Sequence, residues 1–296
     1  MKKKLLGLLL TGALSLGLMG CGGAPAKNDA QTTPEATPAG TEAAADATPA
    51  TVADGDNVIR IGVTPKPHEE IIEFIKPILE AQGYTVEISE FNDYVLPNTA
   101  VEEGSLDVNF FQHTPYLEEQ VASRGLHLVS VGGVHLEPMG VFSKKITDLK
   151  DLPDGATVAV PNDPSNEARA LKLLQAEGLI EVQDGELITA ASVTKNDKNL
   201  KFTEVEAAAV PRAIDDVDIA VINGNYAIEA GFDLAKDALA SEDKDSEAAK
   251  PYVNIVVVKE GNENLPKIQA LYAALTSDET RDFINNTYNG AVIPAF

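Results

Sequence analysis

The sequence predicts an α/β protein with largely parallel sheets, because strand patterns alternate with helical patterns along most of the chain. The first unit is typical. Val58–Val63 is apolar and β-branched like a buried strand, and His68–Gln82 then places Ile71, Ile75 and Leu79 on one helical face. No repeat of 20 to 50 residues is present, so the pattern does not indicate a solenoid.

The remaining elements continue this alternation. Strands are predicted at Thr85–Ser89, Asp107–Phe111, Leu126–Val131, Met139–Ser143, Thr157–Val160, Lys201–Val205, Ile219–Ile222 and Tyr252–Val258. Helices are predicted at Pro97–Glu103, Thr114–Arg124, Pro164–Leu174, Leu265–Leu275 and Asp278–Thr287. Two prolines complicate the pattern: Pro77 should kink or break the His68–Gln82 helix, and Pro211 weakens a helical prediction for Ala207–Asp215.

The beginning of the chain predicts a processing segment rather than structure. Three lysines precede the apolar stretch Leu5–Met19, which is too short to span a bilayer comfortably. The stretch ends in LMGC at 18–21, which resembles the lipobox of bacterial lipoproteins, in which the cysteine is lipidated and the chain is cut before it. We therefore predict a signal peptide at 1–20 and lipidation of Cys21; the alternative is an ordinary secretory leader cleaved nearby.

Composition sets the character of the next segment and of the whole surface. Residues 21–57 are mainly Ala, Thr, Pro, Gly and acidic residues, which predicts a disordered tether behind the lipidated cysteine. The net charge of −23 at pH 7 repels nucleic-acid phosphates, so nucleic-acid binding is excluded.

Cys21 is the one cysteine of the sequence, which excludes an intrachain disulfide and a cysteine metal site.

Polar and aromatic side chains follow four of the predicted strands. In open α/β sheets, ligands bind outside the carboxyl ends of the strands. The segments at those ends are FNDY at 91–94, QHTPY at 112–116, the helix carrying Asn166 and Arg169, and NGNY at 223–226. An arginine for a carboxylate, amide oxygens for an ammonium and rings for an apolar side chain fit an α-amino acid.

The helix after Thr157–Val160 has the strongest local signal. Asp163 and Pro164 are typical of a helix N-cap and first position, and Asn166 and Arg169 then share one face near the helix N-terminus. Unpaired backbone N–H groups and a planar guanidinium that binds in bidentate fashion form a seat for a carboxylate. The alternative is that Asp163 only caps the helix and Arg169 makes a surface ion pair.

The other candidates also have structural alternatives. Phe111 and Tyr116 could belong to the core, His113 could be a turn residue, and Asn223 could simply terminate its strand. The histidines at 68, 113, 127 and 135 show no metal-ligand spacing, so no metal site is predicted. No nucleophile elbow, Ser–His–acid set, P-loop or G-x-G-x-x-G follows a strand, so no catalytic residues and no cofactor are predicted.

Several longer motifs carry a family resemblance. These are FNDYVLPN at 91–98, NFFQHTPYL at 109–117, AVPNDPSNEARAL at 159–171, AVIN with NYA at 220–227, and PYVNIVVVK at 251–259. In this order they resemble the methionine-binding lipoproteins of ABC importers, the NlpA lipoprotein family. One departure is Ala168, where many members have glycine; we expect little effect from it.

The resemblance implies a fold and a site. The fold is the two-lobed, type-2 periplasmic binding protein, with ligand between a lobe of 58–137 plus 253–296 and a lobe of 138–252. The expected contacts are Arg169 with nearby Asn166 for the ligand carboxylate and Asn223 for the amino group. The thioether is expected among the rings of Tyr94, Phe111, His113 and Tyr116.

The resemblance also implies a function without covalent chemistry. We expect a monomer, anchored by lipid on the extracytoplasmic face of a membrane, that captures L- or also D-methionine. It would deliver the methionine to a permease with a cytoplasmic ATPase. The alternatives are a binder of a methionine-containing dipeptide or another small amino acid, or a surface antigen or adhesin without a ligand.

Overall fold

The computed structural model describes residues 57–296. The predicted signal peptide, the predicted lipidation site Cys21 and the predicted tether up to residue 56 lie outside the described residues. Between residues 57 and 296, none of the helices combines the length and the apolar character needed to cross a membrane.

Two mixed sheets carry the fold. The first contains β1 (Val58–Val63), β2 (Thr85–Glu90), β3 (Val108–His113), β4 (Leu128–Leu136), β12 (Val253–Lys259) and β13 (Ile293–Pro294), in the order β13-β4-β12-β3-β1-β2. The second contains β5 (Gly140–Phe142), β6 (Thr157–Pro161), β9 (Lys201–Val205), β10 (Ile219–Ile222) and β11 (Ala238–Ser241), in the order β11-β5-β10-β6-β9. A separate hairpin joins β7 (Glu181–Val182) to β8 (Val193–Lys195).

Helices connect the strands of both sheets. Those that follow or precede strands of the first sheet are α1 (Glu70–Ala81), α2 (Leu96–Glu102), α3 (Thr114–Arg124), α8 (Pro266–Leu275) and α9 (Asp278–Tyr288). Those that follow strands of the second sheet are α4 (Pro164–Ala176), α5 (Val210–Ala213), α6 (Gly224–Glu229) and α7 (Leu234–Asp237). A kinked segment, Pro65–Glu69, precedes α1, and the backbone of Lys66 within it is extended.

The chain passes between the two sheets twice. It leaves the first sheet after Leu136 and enters the second at Gly140, and it returns between Ser241 and Val253. Because it re-enters the first sheet from the opposite direction, β12 pairs antiparallel with both β3 and β4. The prediction of largely parallel sheets is therefore wrong for more than half of the described strand pairs. β1 pairs parallel with β2 and β3, and β6 pairs parallel with β9 and β10, whereas the other six pairs are antiparallel.

Most predicted elements are confirmed, with two informative differences. The helix predicted at His68–Gln82 begins at Glu70 and continues through Pro77 without a break. The strand predicted at Leu126–Val131 extends to Leu136. It continues through Gly132 and Gly133, where its register against β12 is irregular. This extension determines which residues follow the strand into the crossover.

Separate hydrophobic cores stabilise the two sheets. In the first, Ile59 and Ile61 of β1 and Phe110 of β3 are fully buried beneath α1, α8 and α9. In the second, Val158 and Val160 of β6 pack under α4. Burial of such side chains contributes roughly 1.5–3 kcal/mol each, so the sheets are firm supports for the residues at their ends.

Gly132 provides a test of how closely β4 and α8 pack. A β-carbon at this position would overlap the hydroxyl and ring of Tyr272, whose hydroxyl donates to the carbonyl of Gly133 at 3.2 Å. We expect Gly132→Ala to lower the free energy of unfolding by about 1–3 kcal/mol, as overpacking of a close contact does. Chemical denaturation would measure it, with Ser130→Ala at an exposed position of the same strand as the control. Equal stability of the two variants would contradict the packing described.

Candidate functional site

A cavity between the two sheets brings the seven predicted site residues together. Its free space, including the mouth, is about 310 Å³. The predicted residues that line it are Tyr94, Phe111, His113, Tyr116, Asn166, Arg169 and Asn223. Gln112, Glu137, Gly224, Asn225 and Asn254 complete the lining. Their role as ligand contacts stays a prediction; their convergence is a feature of the fold.

The first sheet supplies an aromatic wall. Phe111 lies near the end of β3 and Tyr116 in the first turn of α3, and both are nearly buried. Their ring centroids are 6.0 Å apart, and the ring of Tyr94 lies 5.8 Å from Phe111 and 5.7 Å from Tyr116. Rings in this arrangement present edges and faces that suit an apolar or thioether side chain.

His113 both caps α3 and reaches across the cavity. Its Nδ1 accepts from the backbone N–H of Tyr116 at 3.2 Å, so the neutral ring carries its proton on Nε2 and donates to Asn166 Oδ1 at 3.1 Å. Burial, with the nearby Arg169 charge, lowers the pKa of His113 to about 3. One neutral side chain, that of His113, therefore both caps the helix and lines the cavity.

The N-terminus of α4 has the predicted cap. Asp163 Oδ1 accepts from the backbone N–H of Asn166 at 2.9 Å, with Pro164 at the first helical position. The side chain of Asn166 is fully engaged: its Nδ2 donates to Asp163, and its Oδ1 accepts from His113 and from Asn223 Nδ2 at 2.7 Å. Asn166 thus holds His113 and Asn223 in position across the cavity.

Arg169 is buried and its predicted fork is already occupied. Its Nε donates to Glu242 Oε1 at 2.7 Å, and its Nη2 donates to Glu242 Oε2 at 2.6 Å and to the carbonyl oxygen of Glu137 at 2.8 Å. The ring of Tyr252 lies 4.3 Å from Cζ. Arg169 does form an ion pair, with Glu242. Because its side chain is only 4% exposed, this is a buried ion pair and not the surface ion pair of the alternative interpretation. Only Nη1 lacks a hydrogen-bond partner among the described residues.

Two further polar atoms in the lining are buried without a partner. They are the side-chain oxygen of Asn223 and the side-chain nitrogen of Asn225. The other side-chain atoms of these residues are fixed: Asn223 Nδ2 donates to Asn166, and Asn225 Oδ1 accepts from Tyr94 at 2.6 Å. A buried polar atom without a partner costs about 1–3 kcal/mol, so these two atoms indicate a missing polar partner.

Glu137 connects the cavity to a buried network behind it. Its carboxylate accepts from His135 Nε2 at 2.6 Å, and His68 Nε2 lies 3.3 Å from the same oxygen and 3.1 Å from Asn254 Oδ1. Burial lowers the pKa of His68 to about 4 and that of His135 to about 3, and it raises the pKa of Glu137. Both histidines are therefore neutral hydrogen-bond donors at neutral pH.

His68, His135 and Glu137 bring possible metal-ligand atoms within 4.8 Å of one another. Their spacing in the sequence could not reveal this. Ligands of a tetrahedral zinc ion, at about 2.0–2.1 Å from it, lie roughly 3.3 Å apart. The 2.6 Å between His135 and Glu137 is instead a hydrogen-bond length. The arrangement is a hydrogen-bonded network that fixes Glu137.

Sequence reasoning missed several lining residues for identifiable reasons. Asn225 and Gln112 lie in the strand-end segments 223–226 and 112–116 that the sequence indicated, but no ligand contact was assigned to them. Glu137 follows β4, whose predicted end was five residues early at Val131. Glu242 is 73 residues from Arg169 in the crossover after β11, and no local pattern signals that contact.

Comparison with known proteins identifies close relatives. A family model described as NlpA lipoprotein matches residues 59–296. The D-methionine-binding lipoprotein MetQ of Salmonella typhi is 44% identical over 242 residues, which are 80% of this chain and 88% of that protein. A nutrient binding protein from Burkholderia cenocepacia bound to methionine has 43% identity and a TM-score of 0.77, covering 80% of this chain and all of its own.

A third comparison concerns transport. A structure described as an ABC transporter, periplasmic substrate-binding protein from Coxiella burnetii has 42% identity and a TM-score of 0.76, covering 80% of this chain and 100% of its own. At this level of identity the architecture is shared. The predicted two-lobed periplasmic binding protein fold is confirmed.

The neutral state of His113 has a consequence for stability. Because its pKa is lowered from 6.5 to about 3 in the fold, the unfolded chain takes up the proton first as the pH falls. The contribution of neutral His113 to stability is therefore fully present above pH 6.5, and it is lost progressively as the pH falls from 6.5 to about 3. Between roughly pH 6.5 and pH 4.5, we expect the free energy of unfolding of His113→Gln to fall by about 2 kcal/mol less than that of the wild type. Denaturant titrations at the two pH values would measure this; identical losses would show that His113 titrates normally.

Proposed function

The chain belongs to the NlpA lipoprotein family, and on that premise we propose that it binds methionine and delivers it to an ABC importer. Relatives with this fold include a D-methionine-binding lipoprotein and a nutrient binding protein bound to methionine. The cavity supports the same ligand. It combines hydrogen-bond donors, one acceptor and an aromatic wall in an enclosed space between the sheets.

The unpartnered polar groups carry the proposal. Asn225 Nδ2 is a buried donor without a partner, and Arg169 Nη1 makes no hydrogen bond to the described residues, so both suit a ligand carboxylate. Asn223 Oδ1 is a buried acceptor without a partner, and it suits an ammonium group. With the rings of Phe111 and Tyr116 beside them, these groups complement the three parts of methionine. Asn166, His113 and Tyr94 then position the contacts as well as line the cavity.

The proposed mechanism is capture and release without covalent chemistry. The lobe of 58–137 plus 253–296 carries the aromatic wall, and the lobe of 138–252 carries Arg169 and Asn223. Contacts such as Tyr94 to Asn225 at 2.6 Å join the two sides across the cavity. Separation of the lobes would break such contacts and release methionine to a permease with a cytoplasmic ATPase. The binding protein acts as a monomer in this scheme.

A lipid anchor completes the proposal. The relatives are named lipoproteins, and the LMGC box places Cys21 where a lipid would be attached. A single lipidated cysteine would hold the protein on the extracytoplasmic face of the membrane, where its solute is captured. The acidic composition of the chain disfavours contact with anionic lipid surfaces, so the proposal assigns the attachment to Cys21.

Removing the guanidinium tests the proposed recognition. We expect Arg169→Ala to weaken methionine binding by about a hundredfold, roughly 3 kcal/mol, because a charge-assisted hydrogen bond is lost and a carboxylate is left desolvated. Arg169→Lys should restore only part of this, since an ammonium cannot reproduce the planar geometry. Calorimetric titration of protein stripped of ligand by unfolding and refolding would measure both.

Lys172 provides the matched control on the same helix. It is one turn further along α4, and its Nζ donates to the carbonyl of Glu186 at 3.3 Å. Lys172→Ala should bind methionine like the wild type. Wild-type affinity in Arg169→Ala would place the carboxylate contact elsewhere, and failure of the wild type to bind methionine would refute the proposed ligand.

The anchor is tested separately by Cys21→Ser. We expect the variant, once its leader has been removed, to appear in the soluble fraction after cell fractionation, because no lipid can be attached to serine. The wild type should remain with the membranes. A cleaved Cys21→Ser protein that still sediments with membranes would show that another part of the chain holds it.

A further inference from the structure

The charges around the cavity are unbalanced toward the negative. The guanidinium of Arg169 is paired with the Glu242 carboxylate, while Glu137 is itself part of the lining and Asp163 is hydrogen-bonded to the lining residue Asn166. Burial raises the pKa of both Asp163 and Glu137, and the backbone N–H of Asn166 donates to Asp163 at 2.9 Å. A ligand carboxylate therefore meets a cation that is already paired.

Glu242 is the partner that neutralises Arg169. It holds the Nε and Nη2 edge in bidentate fashion, and this geometry is the strongest that a carboxylate and a guanidinium form. Its Oε2 also accepts from the backbone N–H of Met139 at 2.8 Å, and its own N–H donates to Met139 O at 3.0 Å. Met139 belongs to the other crossover, so the backbone of Glu242 is fixed there, and its carboxylate would lose the Met139 N–H bond if it left Arg169.

We infer that Glu242 is a specificity-determining residue that makes the cavity select zwitterionic amino acids against anions that lack the ammonium group. This inference rests on the proposed function. The Arg169–Glu242 ion pair presents Nη1 of Arg169 to a ligand as a hydrogen-bond donor, but it carries little net positive charge. An anionic ligand would enter a cavity with no net positive charge to receive it. A zwitterion brings its own ammonium to the Asn223 side and stays neutral overall.

The consequence is a prediction about ratios of affinity. Methionine and its desamino analogue, 4-(methylsulfanyl)butanoate, share the thioether and the carboxylate, so a general loss of positioning weakens both equally. Removal of the negative charge at 242 favours the anion and changes the neutral zwitterion much less. The ratio of the two dissociation constants therefore separates a charge role of Glu242 from a merely structural one.

The test compares Glu242→Gln, Glu242→Asp and the wild type by calorimetric titration with both compounds. We expect the desamino analogue to bind the wild type at least a hundredfold more weakly than methionine. In Glu242→Gln this ratio should fall at least tenfold. In Glu242→Asp, which keeps the charge, the ratio should stay near the wild-type value even if both affinities fall.

Asp243→Asn is the control for long-range charge. It removes the same charge from the next residue, which is exposed and makes no contact with Arg169 among the residues described. Its ratio should equal that of the wild type. A ratio in Glu242→Gln within threefold of the wild type, or an equal change in Asp243→Asn, overturns the inference.

Two outcomes cover the case in which the Glu242 variants do not fold. The wild type alone then decides, because a desamino analogue that binds within tenfold of methionine shows that the cavity does not require the ammonium group. A wild type that binds neither compound refutes the proposed function, and the inference falls with it. Thermal unfolding of every variant establishes that the titrated proteins are folded.

Discussion

The site depends on a buried guanidinium that is held from every side but one. Burial of an unpaired charge would cost several kcal/mol, so Arg169 requires partners. Burial acts to lower the pKa of Arg169, but the Glu242 and Glu137 carboxylates outweigh it and raise that pKa. Both partners come from the segments that cross between the sheets, so the geometry of the crossovers and the geometry of the cavity are a single constraint.

The crossovers are in turn fixed by close backbone packing and by the buried histidines. A β-carbon on Gly224 would come within 2.7 Å of the β-carbon of Glu137, so only glycine lets the start of α6 approach the first crossover. His135 and His68 then hold the carboxylate of Glu137 from behind. Asn223 and Asn225 flank Gly224, so the same close approach positions the two side-chain atoms that have no partner at the cavity wall.

Local patterns predicted much of this arrangement. The Asp163–Pro164 cap, the shared face of Asn166 and Arg169, and the rule that sites follow strand ends located the cavity correctly, because each depends on neighbours in sequence. The partner of Arg169 depends on a contact 73 residues away, and the antiparallel insertion of β12 depends on the return of the chain. No local pattern encodes either, so the sequence indicates the planar fork of Arg169 but not the Glu242 carboxylate that lies on its Nε and Nη2 edge.

A crystal structure of the protein with methionine is the most direct test of this account. It should show the ligand carboxylate within hydrogen-bond distance of Arg169 Nη1 and Asn225 Nδ2, and the ammonium against Asn223 Oδ1. Glu242 should remain on the Nε and Nη2 edge of Arg169. Methionine outside the cavity, or a ligand carboxylate that replaces Glu242 on that edge, would contradict the account.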